Sequence, residues 1–188
     1  SYSIINCGLT LETACPTIYS GMLSASSQDS ILIQPGRYSG KGNEGLTTVN
    51  LTTSLINIIG NGLQEFIIIE CIETQRWLYS QNQFLSSISN ITIKNCSSFG
   101  KRVFFNQDGG ALLVTDSSNK LTITSVTFED NIGFNGGAIS ISEGSLTIID
   151  CKFINNNAAY WGGAIVSRDS GLKIIHSFFD GNQARGDL

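Results

Sequence analysis

Short runs of alternating apolar and polar residues recur along the chain. A Leu-x-Ile run begins at Leu121, at Leu146 and at Leu172, so the same alternation returns after 25 and then 26 residues. Alternation over a few residues is the periodicity of a half-buried β-strand. No ten-residue helical stripe interrupts these copies, so the pattern predicts two or three short strands in each repeat.

Two motifs recur with the strands. Phe-x-x-Asn starts at Phe128, Phe153 and Phe179, and Gly-Gly-Ala starts at Gly109, Gly136 and Gly162. A fixed period of this length predicts a solenoid, in which equivalent residues of successive coils stack about 4.8 Å apart. The Leu, Ile and Phe positions then predict inward columns. Asn131, Asn156 and Asn182 predict a ladder of side-chain amides at a turn.

The combination of Phe-x-x-Asn with Gly-Gly-Ala-Ile resembles the repeats of chlamydial polymorphic outer membrane proteins. It is also similar to repeats in large surface proteins of amoebae and other protists. The resemblance covers roughly residues 31–188 and rests on the joint recurrence of both motifs. It implies an extracellular or cell-surface location and a role in adhesion or recognition.

We therefore predict an all-β fold, a right-handed parallel β-helix of about six coils that is similar to the pectate-lyase solenoids. Residues 1–30 precede the strand pattern and predict an N-terminal cap. A short helix is expected within Pro16–Ala25, with Ile18, Met22, Leu23 and Ala25 on its apolar face. Residues 31–188 form the solenoid, and their end inside a repeat predicts that they belong to a longer chain.

Composition narrows the classes of partner. Of the 188 residues 41% are hydrophobic, which is enough for a core, and only 14% are charged. The net charge of −4 argues against nucleic acid or an anionic membrane as a partner. No apolar run reaches the 18 or so residues of a membrane span, so contact with a membrane is expected only through parts of the protein outside this sequence.

Five cysteines imply at least one that is unpaired. We predict that Cys7 pairs with Cys15, eight residues on. Aligning Phe66–Cys71 on Ile91–Cys96 stacks Cys71 on Cys96, at a spacing that a disulfide accepts. Cys151 is expected in the same column, two coils away, and therefore as a buried thiol. The alternative is that all five cysteines are unpaired and serve as small buried apolar residues.

Three sequons are candidate glycosylation sites, at Asn50, Asn90 and Asn95. A chain rich in Asn, Ser and Thr also produces sequons by chance. Together with the predicted disulfides they favour the secretory route.

Candidate catalytic chemistry is sparse. Polysaccharide lyases and hydrolases with this fold need clustered acids or paired carboxylates. Asp150 and the single histidine, His176, align one coil apart and predict a surface pair. We expect no enzyme, no cofactor and no metal site, with a carbohydrate-active or carbohydrate-binding β-helix as the alternative. An ice-binding threonine column would begin with Thr92, Thr122 and Thr147, but Lys173 ends it.

Recognition is the remaining class, and the partner is expected to be another cell-surface protein or a glycan. Phe134, Tyr160 and Trp161 lie in the variable stretch between the Asn and the Gly pair. Aromatic side chains on such segments suit binding of a protein or a sugar, unless they fold back to cover the corner of the coil. Ile149 and Ile175 are expected to point outward and to extend an apolar patch.

Overall fold

A computed structural model describes residues 7–8, 10–49, 51–72, 75–81, 83–99, 107–115 and 120–186. Within these ranges the chain is mostly parallel β-structure with one α-helix. Its elements are the helix α1 (Ile18–Ser24), a 3₁₀ turn (Gln64–Phe66) and the strands β1 (Ser30–Ile33), β2 (Gly36–Tyr38), β3 (Leu46–Thr47), β4 (Ile56–Gly60), β5 (Ile67–Glu70), β6 (Leu78–Gln81), β7 (Leu85–Ser89), β8 (Thr92–Lys94), β9 (Leu112–Thr115), β10 (Lys120–Thr124), β11 (Thr127–Glu129), β12 (Ile132–Asn135), β13 (Ile139–Ile149), β14 (Lys152–Ile154), β15 (Asn157–Trp161), β16 (Ile165–Ile175), β17 (Phe178–Asp180) and β18 (Gln183–Ala184).

The strands stack into three sheets, and every strand pair is parallel. A nine-stranded sheet contains β1, β4, β7, β10, β13, β9, β6, β3 and β16. A six-stranded sheet has the order β17-β14-β11-β8-β5-β2, and a three-stranded sheet has the order β12-β15-β18. Six stacked strands in one column correspond to about five full turns, so the predicted parallel solenoid is confirmed.

The coils turn at corners where one residue has a left-handed backbone. Asn90, Ser125, Asp150 and His176 take this conformation at one corner, with φ between 45° and 57°. At the following corner it is taken by Asn95, Asp130, Asn155 and Gly181. Gly, Asn and Asp visit this region at the lowest cost, which explains why small polar residues follow each apolar strand.

The predicted apolar columns form the core. Leu121 pairs with Leu146 and Leu146 with Leu172, all in register. The rings of Phe128 and Phe153 stack at 5.0 Å between centroids, and both side chains are fully buried. Leu172 belongs to the last coil and is 42% exposed because no coil covers it within the described residues.

The predicted asparagine ladder is present. The Nδ2 group of Asn131 donates to Oδ1 of Asn156 over 3.0 Å, and that of Asn156 donates to Oδ1 of Asn182 over 2.9 Å. Each of these oxygens also accepts a backbone N–H from the preceding coil. Asn131 and Asn156 are fully buried, and the ladder supplies the hydrogen bonds that burial requires.

The asparagine ladder begins at Asn131, and the segment stacked before it, Ile91–Cys96, was wrongly aligned with Leu121–Val126. Thr92 pairs with Thr127, not with Thr122, so Ile91–Cys96 lies one strand further round the coil than predicted. Cys96 therefore occupies the column of Asn131, and its N–H donates to the Asn131 Oδ1. Thr92 likewise leaves the threonine column.

The helix packs on the first coil. Thr17 caps it, since its hydroxyl accepts from the Ser20 N–H and the Ser20 side chain accepts from the Thr17 N–H. Ile18 and Met22 are buried as predicted. Leu23 was expected on the same face but is 51% exposed, because it lies one residue, or about 100° of helix rotation, beyond the buried Met22.

The Gly-Gly-Ala motif brings two backbones together at the start of β13. Gly136 has φ of 70°, a value that other residues rarely adopt. A Cβ on Gly137 would overlap the carbonyl oxygen of Gly163 and lie 2.6 Å from the Asn157 nitrogen. Both glycines are therefore required by the geometry of the turn.

Candidate functional site

The three predicted aromatic residues lie together on the three-stranded sheet. Phe134 on β12 and Tyr160 on β15 stack with their ring centroids 6.0 Å apart. The ring centroids of Tyr160 and Trp161 are 4.6 Å apart, and the planes of these two rings are tilted against each other. Trp161 is 53% exposed, whereas Phe134 and Tyr160 are half-buried. We call these three residues the aromatic edge.

Polar side chains continue the same outer face. Strand alternation buries Gly133 and Ala158 and leaves Ile132 and Asn157 on the outside. Asn157 pairs in register with Gln183 of β18. Neither side-chain amide forms a hydrogen bond with any residue that the structure describes. The face therefore offers amide donors and acceptors next to exposed rings.

A charged cluster supports the aromatic edge from one side. Nη1 of Arg168 donates to Oδ2 of Asp108 over 3.0 Å, and Nδ2 of Asn135 donates to Oδ1 of Asp108 over 2.7 Å. The guanidinium of Arg168 also lies 5.5 Å from the centre of the Trp161 ring. Asn135 Oδ1 accepts the Trp161 N–H over 3.2 Å. Trp161 is therefore held through its backbone and its ring at once.

Arg76 completes the cluster from the interior. It is buried, and its Nε donates to the Gly109 carbonyl oxygen over 2.9 Å. Burial lowers its pKa to about 10, and the nearby Asp108 opposes that shift. Sequence reasoning assigned no role to Arg76 or Arg168, because Arg168 lies 60 residues after Asp108 and neither arginine recurs in the repeat.

The two predicted isoleucines are placed apart from the aromatic edge. Ile149 and Ile175 pair in register at the ends of β13 and β16, in the nine-stranded sheet. Both are half-buried. They lie on a different sheet from Phe134 and Tyr160, so the structure does not join them into one patch with the rings.

The cysteine pairs are those expected. Cys7 is bonded to Cys15 and Cys71 to Cys96, with Cα atoms 4.9 Å and 4.7 Å apart. Cys151 is free and buried, and burial raises the pKa of its thiol. Cys151 stacks beside Val126, as predicted, and beside Ser177. Its predicted alignment with Cys96 was wrong, because Cys96 lies in line with Asn131.

The sequons differ in accessibility. Asn90 sits at a left-handed corner and is half-buried. Asn95 is exposed, but its Nδ2 donates to Oε1 of Glu70 over 2.9 Å. Asn50 lies outside the described residues. Glycosylation of all three stays a prediction.

Asp150 and His176, which the alignment placed one coil apart, lie close together on the surface. His176 Nδ1 lies 3.9 Å from Oδ1 of Asp150, and both side chains are mainly exposed, at 84% and 57%. No group of three His, Cys, Asp or Glu residues in the described ranges is arranged to hold a metal ion. The Asp150–His176 pair is therefore the surface pair that the alignment predicted.

The fold and its repeat define a parallel β-solenoid whose coils carry a recognisable motif. A family model for the Chlamydia polymorphic membrane protein repeat matches residues 150–168, which contain the second Phe-x-x-Asn and the Gly-Gly-Ala-Ile that follows it. Comparison with curated proteins and with solved structures gives no match. None of the helices among the described residues is long and apolar enough to cross a membrane. The repeat and the fold fit a surface protein of the adhesin type.

Proposed function

We propose that this domain is a non-enzymatic recognition module of an extracellular or cell-surface protein, and that the aromatic edge is its contact surface. The observation that carries the proposal is the exposure of Trp161, 53% of whose surface is accessible although its backbone and ring are both fixed. Rigid aromatic anchors of this kind dominate binding energy at interfaces. A side chain held before binding also loses little conformational entropy when a partner arrives.

Three further features support the proposal. The similarity of residues 150–168 to a repeat of membrane proteins fits a surface location. Two disulfides fit an oxidising, extracellular compartment. The aromatic residues do not recur in every coil, whereas the core residue Phe153 has equivalents in the coils on both sides. Variable residues on a repeated scaffold suit recognition of a specific partner.

The test is direct binding to cell surfaces. Fluorescent beads coated with the domain are expected to bind cells saturably, and excess soluble domain should compete. Beads coated with reduced, unfolded domain are the control. Absence of competition would contradict the proposal, and turnover of polygalacturonate by the soluble domain would instead support a carbohydrate-active enzyme.

A further inference from the structure

We infer that the ligand of the aromatic edge is a short oligosaccharide in which one sugar carries a carboxylate. This rests on the proposed function and names the chemical class of its partner. Three groups point to it: the exposed Trp161 ring with the half-buried Phe134 and Tyr160 beside it, side-chain amides that have no partner among the described residues, and a guanidinium most of whose donors are likewise unused there.

The rings supply an apolar surface of the right kind. Phe134, Tyr160 and Trp161 form a continuous row, with successive centroids 6.0 Å and 4.6 Å apart. Phe134 and Tyr160 stack on each other, so the C–H groups of a pyranose ring would pack mainly on the exposed Trp161 ring, while its hydroxyl groups need polar partners at the sides. Aromatic side chains meet this requirement because they combine a large apolar area with few rotatable bonds.

The amides supply the polar partners. Asn157 and Gln183 stack in register on the outer face of the three-stranded sheet. Each side-chain amide has two N–H donors and a carbonyl acceptor, and none is used within the described residues. Asn157 precedes Tyr160 by three residues of strand, or about 10 Å, which is enough length for more than one sugar unit.

The guanidinium of Arg168 supplies the charge. It uses one N–H for Asp108, and its other donors have no partner among the described residues. The side chain is 40% exposed next to the Trp161 ring. Arg76 binds the backbone carbonyl oxygen of Asp108 from the interior, so the exposed Arg168 is the cation of this cluster that a ligand can reach. A planar guanidinium fork matches a carboxylate bidentately.

The overall charge limits how acidic the ligand is. The chain has a net charge of −4, which repels polyanions such as nucleic acids and densely sulfated chains. One local guanidinium beside neutral amides fits a ligand with one carboxylate among several hydroxyl groups.

The experiment uses an array of galacturonate-containing and sialylated oligosaccharides, each printed beside its methyl ester. The strongest pair is then measured by calorimetry. The free acid should bind at least about tenfold more tightly than the ester, the usual scale of one charged hydrogen-bonding contact. Equal binding of acid and ester, or no binding across the array, would overturn the inference.

Variants locate the site. Arg168→Gln should remove the preference for the acid, Arg168→Lys should restore part of it, and Tyr160→Ala should weaken acid and ester alike. Lys173→Gln is the matched control, because Lys173 is an exposed cation on the nine-stranded sheet. If Arg168→Gln fails to fold, Asn157→Ala with Gln183→Ala serves instead, since those side-chain amides make no hydrogen bond with any described residue. Unchanged affinity in that variant would overturn the inference.

Failure of this inference is distinguishable from failure of the proposed function. Cell binding that survives enzymatic removal of surface glycans but is lost in Trp161→Ala would show a protein partner at the same edge. If every variant of the aromatic edge still binds cells as the unmodified domain does, the proposed function itself is overturned.

Discussion

Phe153 shows how one residue type, repeated at one position, builds the interior. Its ring lies between those of Phe128 and Phe179, with centroids 5.0 Å and 4.7 Å away and the planes within 8° of parallel. It is fully buried. Phe178 precedes Phe179 by one position but does not belong to the column, and it is 56% exposed.

Replacing Phe153 with Ala should therefore cost about 3–5 kcal/mol of stability, because the cavity opens between two rings that the backbone holds in place. Chemical denaturation measures the loss. Phe178→Ala is the matched control and should change stability by less than about 0.5 kcal/mol. Equal effects of the two substitutions would show that the column is not the core.

Asn156 makes the second residue-scale prediction. Its amide donates to Asn182 and to the Phe128 carbonyl oxygen, and its Oδ1 accepts from the backbone and side chain of Asn131. Asn156→Ala leaves several buried groups unpaired at about 1–3 kcal/mol each, so a loss of at least about 3 kcal/mol is expected in denaturant titration. Asn182→Ala, at the open end of the ladder, should cost clearly less; the reverse order would contradict the ladder.

At the scale of elements, the turn before β13 depends on backbone contact. Gly137→Ala places a Cβ against the Gly163 carbonyl, which cannot retreat without shifting β16. We expect a loss of about 3 kcal/mol or more in the free energy of unfolding. Gly171→Ala is the control, since its Cβ would meet Ser145 at an ordinary 3.5 Å. Wild-type stability of Gly137→Ala would mean that the coils are less tightly stacked there.

The elements also show what the sequence could predict. The coils from Leu121 onward were placed in the correct register because two motifs recur there together. Ile91–Cys96 was misplaced by one strand because Ile-Thr-Ile resembles Leu121-Thr-Ile as closely as it resembles Val126-Thr-Phe. Alternating patterns identify strands, but a short one does not say to which side of a coil it belongs.

The candidate site was predictable to the same extent. Phe134, Tyr160 and Trp161 stood out because they interrupt the repeat. The ion pair beside Trp161 could not be predicted from the sequence, because Asp108 and Arg168 are 60 residues apart and belong to different coils. Contacts between coils outside the repeated motif follow from three-dimensional stacking and leave no local signal.

The whole molecule is held by two different devices along one column. The Cys71–Cys96 disulfide links the coils near the N-terminal end, and from Cys96 onward hydrogen-bonded asparagines take over the same position. The first coil is covered by α1, whereas the last described coil exposes its apolar edge. The solenoid is therefore divided into two parts: a disulfide links the coils near the N-terminal end, and side-chain hydrogen bonds link the later coils.

Mass spectrometry of the unreduced protein should find two disulfides and one free thiol at Cys151. That thiol should resist iodoacetamide until the chain unfolds, because it is buried and its pKa is raised.

Removing the Cys71–Cys96 bond by a double Ala substitution should cost about 3 kcal/mol of stability, because the bond closes a loop of 25 residues. Hydrogen exchange should then increase first in β5 and β8; a uniform increase through β14 would contradict the division.

The central claim is that the aromatic edge serves recognition and not folding, and Trp161→Ala tests it most directly when melting and cell binding are measured on the same protein. The ring contributes a cation–π contact with Arg168 of about 0.5–1 kcal/mol, so the thermal midpoint should fall by only a few degrees. Cell binding should weaken by about 2 kcal/mol or more, the scale of an interface hot spot. A large fall in melting temperature with unchanged binding would contradict the account.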